Sequence, residues 1–328
     1  MKMKKTKILG LVLALIMFFT NLPFGSGIVH AEGEDDVKII FDNFPDAKFR
    51  EYINDNIDKD GSGSLSKAER EAVTEIKVGR TDYNDTQYDN LVGLKYFPNL
   101  QTLICFDNDM DELNLSENTE LTYLDCSQNN LRNTLDLSKN KKLKTLICRN
   151  NKIETLNLEN NAALEKLEFT NNRVKNIDLS KNTNLIELVC ENNNLESLDL
   201  INNTKLKILN FKLNGIKNPD LSSNLELSEL NCQQNSNLGK LDLSSNKKLT
   251  KLDCFFCGLT ELKLADNNEL KELKCNGNQL TELDLSTSPK LTYVKCQANK
   301  LKKLDLSKNL ELDDFNCSEK PINFFRFI

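Results

Sequence analysis

The stretch Leu121-Thr-Tyr-Leu124-Asp-Cys126-Ser-Gln-Asn129-Asn-Leu131, followed by Leu135-Asp-Leu137-Ser-Lys-Asn140 and a new leucine at Leu143, decides the fold. The same wording returns with openings at Leu100, Leu121, Leu143, Leu164, Leu185, Leu206, Leu227, Leu249, Leu270, Leu291 and Leu312, at steps of 21 residues with 22 at two places. The additional residues fall near Asn133 and Ser236, in polar stretches that a loop can absorb. Ten repeats are complete and an eleventh is begun. The first, fourth and sixth positions alternate as a strand requires and point inward, yet one coil alone cannot cover its apolar side. Stacking coils at the parallel-strand spacing of about 4.8 Å buries these side chains in continuous columns.

Asparagine supplies the other half of the pattern. A coil that turns inward leaves backbone groups without strand partners, and a buried amide can satisfy them on its own and adjacent coils. One expected ladder runs through Asn108, Asn129, Asn151, Asn172, Asn193, Asn214, Asn235, Asn278 and Asn299. A second runs through Asn118, Asn140, Asn161, Asn182, Asn203, Asn224, Asn246, Asn267 and Asn309. Two ladders in so short a coil leave little room for a helix, so strands or extended segments are expected on both long sides.

With these motifs, the chain resembles the leucine-rich-repeat family in its short nested bacterial form, LxxLxCxxNxLxxLDLSxN, over Leu100 to Cys317. In general architecture it is internalin-like. Departures are few: Phe169 and Phe211 replace cysteine, Cys257 replaces a ladder asparagine, and Pro219 stands at a second-strand leucine position. The resemblance implies a right-handed, mostly β solenoid of α/β repeat type, and recognition or adhesion to protein ligands on an extended face.

Nine of the ten cysteines share one column of the repeat. Export would favour disulfides, but side chains in register on parallel strands stay about 4.8 Å apart, whereas a disulfide wants its Cβ atoms near 3.8 Å. Buried reduced thiols are therefore expected. Cys254-Phe-Phe-Cys257 reads as a column cysteine plus a ladder substitute.

Ahead of the repeats, Asp58-Lys-Asp60-Gly-Ser62-Gly63-Ser64-Leu65-Ser66-Lys-Ala-Glu69 reads as a twelve-residue EF-hand-like calcium loop. Asp58 and Asp60 offer carboxylate oxygens, Ser62 a hydroxyl, Ser64 its carbonyl and Glu69 a bidentate carboxylate, with Ser66 acting through water. Gly63 allows the sharp turn. Ser66 and Glu69 also form a capping box, and Phe44 to Asn54 has the pattern of an entering helix. The expected cofactor is one structural Ca2+, with affinity of about 0.1 to 1 mM, in a helical cap and lead-in spanning residues 32–99.

Residues 1–31 read as a signal peptide: four lysines without an acid, an apolar run from Ile8 to Phe19, and cleavage after Ala31. An uncleaved signal anchor is the rival reading. Export to the extracellular space or cell surface is expected, with no membrane span after cleavage. Removal of these residues takes the formal charge from −6 to −10, which disfavours nucleic acid and anionic membrane as partners. It also removes His30, the only histidine, and with it any histidine triad or histidine zinc site. No enzyme is expected; a structural surface component and a carboxylate hydrolase are the competing readings. For the tail, residues 318–328, two readings stand: a makeshift cap on the last coil, or truncation of the eleventh repeat.

The strand series ending in cysteine is expected to form the main sheet, acting as a monomer. Ile104, Phe106, Tyr123 and Ile147 are its candidate ligand face, with Ile186, Val189 and Ile208 beyond and Lys274 and Lys295 as a steering region at the far end. Asp178, Asp199, Asp220 and Asp242 share one outward column and read as a solvated acidic row.

Overall fold

A computed structural model of the chain describes residues 35–82, 87–264 and 266–317, together with the backbone of a short strand at Phe325–Arg326. The expected signal peptide lies outside the described residues, as do the side chains of the tail. Twelve parallel strands form one sheet whose order follows the chain from Glu75–Lys77 to Asp314–Asn316. They pair in register, so that Leu103, Leu124, Leu146 and Leu167 stand opposite one another, and the column continues to Val294 and Phe315. The fold is thus the mostly β repeat solenoid expected. Coils are numbered here from Leu100.

The sheet begins one coil before that. Glu75–Lys77 pairs with Thr102–Ile104, placing Ile76 opposite Leu103. Val73, Ile76 and Val78 hold the places of the first, fourth and sixth repeat residues. This coil escaped the periodicity because β-branched residues stand for leucine and its connection to Leu100 is longer than a repeat. The connection carries a single helical turn, Leu94–Tyr96.

The second long side is extended, with short two-stranded ladders at three places among the described residues. Arg132–Leu135 pairs with Lys152–Leu156, with a register shift between Asn133 and Thr134. Lys240–Asp242 pairs with Glu261–Lys263. These two ladders adjoin the inserted residues at Asn133 and Ser236. The third joins Leu304–Asp305 to Phe325–Arg326.

Both asparagine ladders form. Asn172 Nδ2 donates to the carbonyls of Cys148 on the preceding coil and Phe169 on its own, at 2.9 and 3.0 Å, while its Oδ1 accepts from Ile153 N at 3.0 Å. In the second ladder, Asn182 Nδ2 donates to Leu158 O and Asn161 O at 3.1 and 2.9 Å. Coil 9 has Ser288 in place of that asparagine, and the neighbouring Thr287 hydroxyl donates to Leu264 O instead, at 3.0 Å. Each lost amide would strand buried backbone groups at about 1 to 3 kcal/mol apiece.

Eight cysteines are free and buried, and burial pushes the Cys105, Cys148 and Cys190 thiols up, away from the reactive thiolate. Cys257 Sγ donates to Cys232 O at 2.9 Å, standing in for the ladder amide. The expectation of an entirely reduced column fails at the last pair, where Cys296 and Cys317 are joined. Their Cα atoms lie 4.8 Å apart, within the roughly 4.4 to 6.8 Å that a disulfide accepts. Side chains leaning together can close the gap that strand spacing leaves. Cys317 directly follows Asp314–Asn316, the last strand of the main sheet among the described residues.

The aspartate row has a local purpose. Asp178, Asp199, Asp220 and Asp242 each accept from the backbone N–H two residues on, at 2.8 to 3.1 Å. These are turns closed by an aspartate side chain, and Asn157 does the same for Glu159. The hydrogen bonds hold the Asp178, Asp220 and Asp242 carboxyls below their ordinary value.

Two outcomes follow. Alkylation of the native protein should leave the eight free thiols unlabelled, and denaturation without reductant should label eight of the ten cysteines. Extensive native labelling, or disulfides linking every coil, contradicts this packing. For pH, a depressed folded-state pKa contributes stability that is complete above the unfolded value of about 3.9 and is lost as pH falls through the lower folded value. Urea midpoints should therefore drop below about pH 4, and Asp→Asn at positions 178, 220 and 242 together should flatten that drop and lower the neutral-pH midpoint slightly, since the stability tied to the ionised carboxylates goes with them.

Candidate calcium loop and recognition face

The N-terminal cap is built around helix Ala47–Asn56, whose N-cap Asp46 accepts from Phe49 N. Phe49 and Ile53 face inward, and Phe44 packs against Phe49, Tyr96 and Phe97. Gly93 lies beneath Phe44 at φ 111°, where a Cβ would stand 2.2 Å from the ring. Asp46 Oδ2 also accepts from Asp89 N at 2.8 Å, tying the cap to the lead-in coil.

Between this helix and the next, Lys67–Ala72, the loop expected to hold calcium closes on itself. Asp58 accepts from Ser62 N and Gly63 N at 3.2 and 2.9 Å, and Asp60 from Ser62 N at 2.9 Å. Gly61 and Gly63 take positive φ, which lets the chain reverse around these carboxylates. Glu69 accepts from Lys59 N through one oxygen and from Ser66 N through the other, completing the capping box. Burial pushes the Glu69 carboxyl up, but these hydrogen bonds together outweigh it and hold it below the ordinary value. Carboxylate oxygens of Asp58, Asp60 and Glu69 all lie within 4.8 Å of one another. Ser62 and Ser64 share the loop but are bonded together, Ser62 Oγ donating to Ser64 O at 2.9 Å, and Ser66 Oγ donates to Glu69. Three convergent carboxylates on a glycine-hinged loop fit a hard cation. Leu65 is fully buried, and Ser64–Leu65 pairs antiparallel with Val37–Lys38.

On the main sheet, Ile104, Phe106, Tyr123 and Ile147 are each half-buried. Ile104 and Ile147 share a column, but Asp125 stands between them, accepting from Ser127. Phe106 lies against the lead-in coil: a Cβ on Gly79 would come within 2.7 Å of its ring. Tyr123 sits between Thr102 and Thr145. The structure therefore brings together two aromatic rings and two isoleucines around an acid. Farther along, charges pair from coil to coil, through Lys144 with Glu165, Lys166 with Glu187 and Lys251 with Glu272. Lys274 pairs with Asp253 at 3.3 Å, whereas Lys295 lies 5.2 Å from the Tyr293 ring. Phe256 and Leu213, exposed at the sheet's edge, were missed because they sit in turns, outside the strand alternation.

A cleft of about 610 Å³ opens on the second side near Val92, Leu113 and Arg132. Of its three carboxylates, Asp111 is held by Arg132, Asp136 accepts from Ser138 N and Glu112 is exposed.

No protein-family model matches the sequence, and no curated protein matches it either. Solved structures do. The functional domain of InlJ from Listeria monocytogenes, described as including a cysteine ladder, aligns at 26% identity and TM-score 0.52, covering 88% of this chain and 76% of that one. YopM from Yersinia enterocolitica aligns at 23% identity and TM-score 0.64, over 94% of this chain and 59% of its own. The internalin InlF from Listeria monocytogenes aligns at 20% identity and TM-score 0.54, over 87% and 98%. The chain has the leucine-rich-repeat solenoid fold of these internalin-like proteins.

Proposed function

We propose that this chain is an exported, monomeric recognition protein that binds a protein ligand on its main sheet and holds one structural Ca2+ in the Asp58–Glu69 loop. The observation that carries the reading is the twelve-stranded in-register sheet itself. It presents a rigid face whose side chains are already ordered, so little conformational entropy is lost on binding. The internalin-like neighbours support recognition rather than chemistry, and two of the three cleft carboxylates are engaged in an ion pair and a turn. No helix of the described residues is long and apolar enough to cross a membrane.

In the cap, Asp58, Asp60 and Glu69 would hold the ion, with Ser62 and Ser64 turning to add oxygens. A bound Ca2+ would neutralise three carboxylates that otherwise repel each other. Because Glu69 also caps the helix leading into Glu75–Lys77, the loop is coupled to the first strand of the sheet.

Calcium at 10 mM should raise the melting temperature by several degrees, since ten to a hundred times Kd stabilises by about 1.4 to 2.7 kcal/mol. Asp58→Ala with Glu69→Ala should abolish the rise, as should the milder Asp60→Asn, which spares the capping box. An intact protein indifferent to calcium sinks the metal assignment. For the face, ligands captured from host matrix and bacterial surface proteins should bind more weakly by on the order of 2 kcal/mol for each of Phe106→Ala and Tyr123→Ala. Unchanged affinity in both, with melting curves intact, removes this patch from the binding site.

A further inference from the structure

The first described strand of the cap, Val37–Lys38, lies across the carboxylate loop. It pairs antiparallel with Ser64–Leu65, which sets Val37 opposite Leu65 and Lys38 opposite Ser64. Just after it, Ile39 N donates to Gly63 O at 3.0 Å, and just before it Arg70 Nη2 donates to Asp35 O at 2.9 Å. Val37 and Ile39 are half-buried against the core of the cap, while Lys38 between them is exposed. Residues 35–39 therefore form a strap over the loop and the helix behind it. A ribbon of two short strands is marginal by itself, so the strap holds only as firmly as the loop keeps its shape.

The anchors of the strap are sequence neighbours of the groups expected to hold calcium. Ser64, opposite Lys38, carries the expected ligand carbonyl, with Gly63 and Leu65 on either side, and Arg70 directly follows Glu69. Two physical effects oppose this arrangement in an ion-free loop. Asp58, Asp60 and Glu69 bring carboxylate oxygens within 4.8 Å of one another, where like charges repel. Gly61 and Gly63, at positive φ, lose more conformational freedom on ordering than other residues would. A cation relieves the first effect and offsets the second, and so fixes Gly63–Leu65 and Glu69 together. The body of the cap is held by other contacts: Phe44 packs on Phe49, Tyr96 and Phe97, and Asp46 accepts from Asp89 N at 2.8 Å. Release of the strap leaves these in place.

We propose that residues 35–39 are a calcium-dependent latch, closed on Gly63–Leu65 and Arg70 when the loop binds the ion and opening locally when it does not. The inference rests on the reading of the Asp58–Glu69 loop as a calcium site and adds what the ion regulates: whether the outermost strand of the cap is fastened. Coupling of this kind is reciprocal, so a loosened strap must also weaken calcium binding.

Hydrogen exchange of the full chain, with and without 10 mM Ca2+, reads the latch, and equilibrium dialysis reads calcium binding separately. The Ile39 amide and its neighbours should exchange about tenfold to a hundredfold more slowly with calcium, the ratio of 10 mM to a Kd of about 0.1 to 1 mM. The Cys190 and Asn192 amides, bonded to Asn210 O and Lys212 O in the middle of the main sheet, should not change. Arg70→Met removes one anchor and no expected ligand, so it should speed exchange at residues 37–39 and weaken calcium binding several-fold. Calcium binding without slower exchange at residues 37–39 overturns the latch and leaves the metal site standing. Equal slowing of the Cys190 and Asn192 amides overturns it as well, because the ion then acts on the whole fold. An Arg70→Met protein with unaltered calcium affinity refutes the coupling. No bound calcium in dialysis removes the calcium site itself, and the latch with it.

Discussion

The structure depends on one constraint: every backbone group turned inward by a coil must find a partner on that coil or the next. Strand pairing satisfies one side, and the asparagines satisfy the corners. Asn172 bonds its own coil and the one before it, so the coil-to-coil distance is set by an amide with little freedom to stretch. The leucine columns, the cysteine column and the aspartate-closed turns repeat because that distance repeats. Substitutions are tolerated where the geometry survives, as at Cys257, whose thiol still reaches Cys232 O, and at Thr287, whose hydroxyl covers for Ser288.

An open stack of this kind exposes apolar ends, and the N-terminal end has a particular solution. The sheet passes into the lead-in coil through Ile76, and the Phe44, Phe49 and Phe97 cluster lies over it. The carboxylate loop is one helix away from that first strand. Charge at Asp58, Asp60 and Glu69 and the seating of the first coil are therefore mechanically connected, so that an ion held by these carboxylates would have a structural task in a protein otherwise held by packing.

Ion pairs across successive coils largely neutralise the main sheet, leaving its two ends chemically distinct. The first coils offer aromatic and aliphatic side chains around Asp125; coils 8 to 10 offer an aromatic pair and lysines set against acids on neighbouring coils. A regular scaffold makes such local departures conspicuous, because the neighbouring coils show what the position holds when only the fold is served.

Nearly all of the repeat region was legible in the chain, because a fixed period imposes one environment on each position: the leucine columns, both asparagine ladders and the buried cysteines follow from it. The spacing of Asp58, Asp60 and Glu69 likewise marked the loop in which their carboxylates converge, since groups carried by one short loop are local in sequence. What depended on three-dimensional packing was not legible. Val73, Ile76 and Val78 became a coil only by pairing with Thr102–Ile104, and Asp125 divided the two isoleucines because the register put it opposite both. Val37 and Lys38 are unremarkable in the sequence. They become a strand only against Ser64–Leu65, because backbone pairing is a property of two segments in contact rather than of either alone.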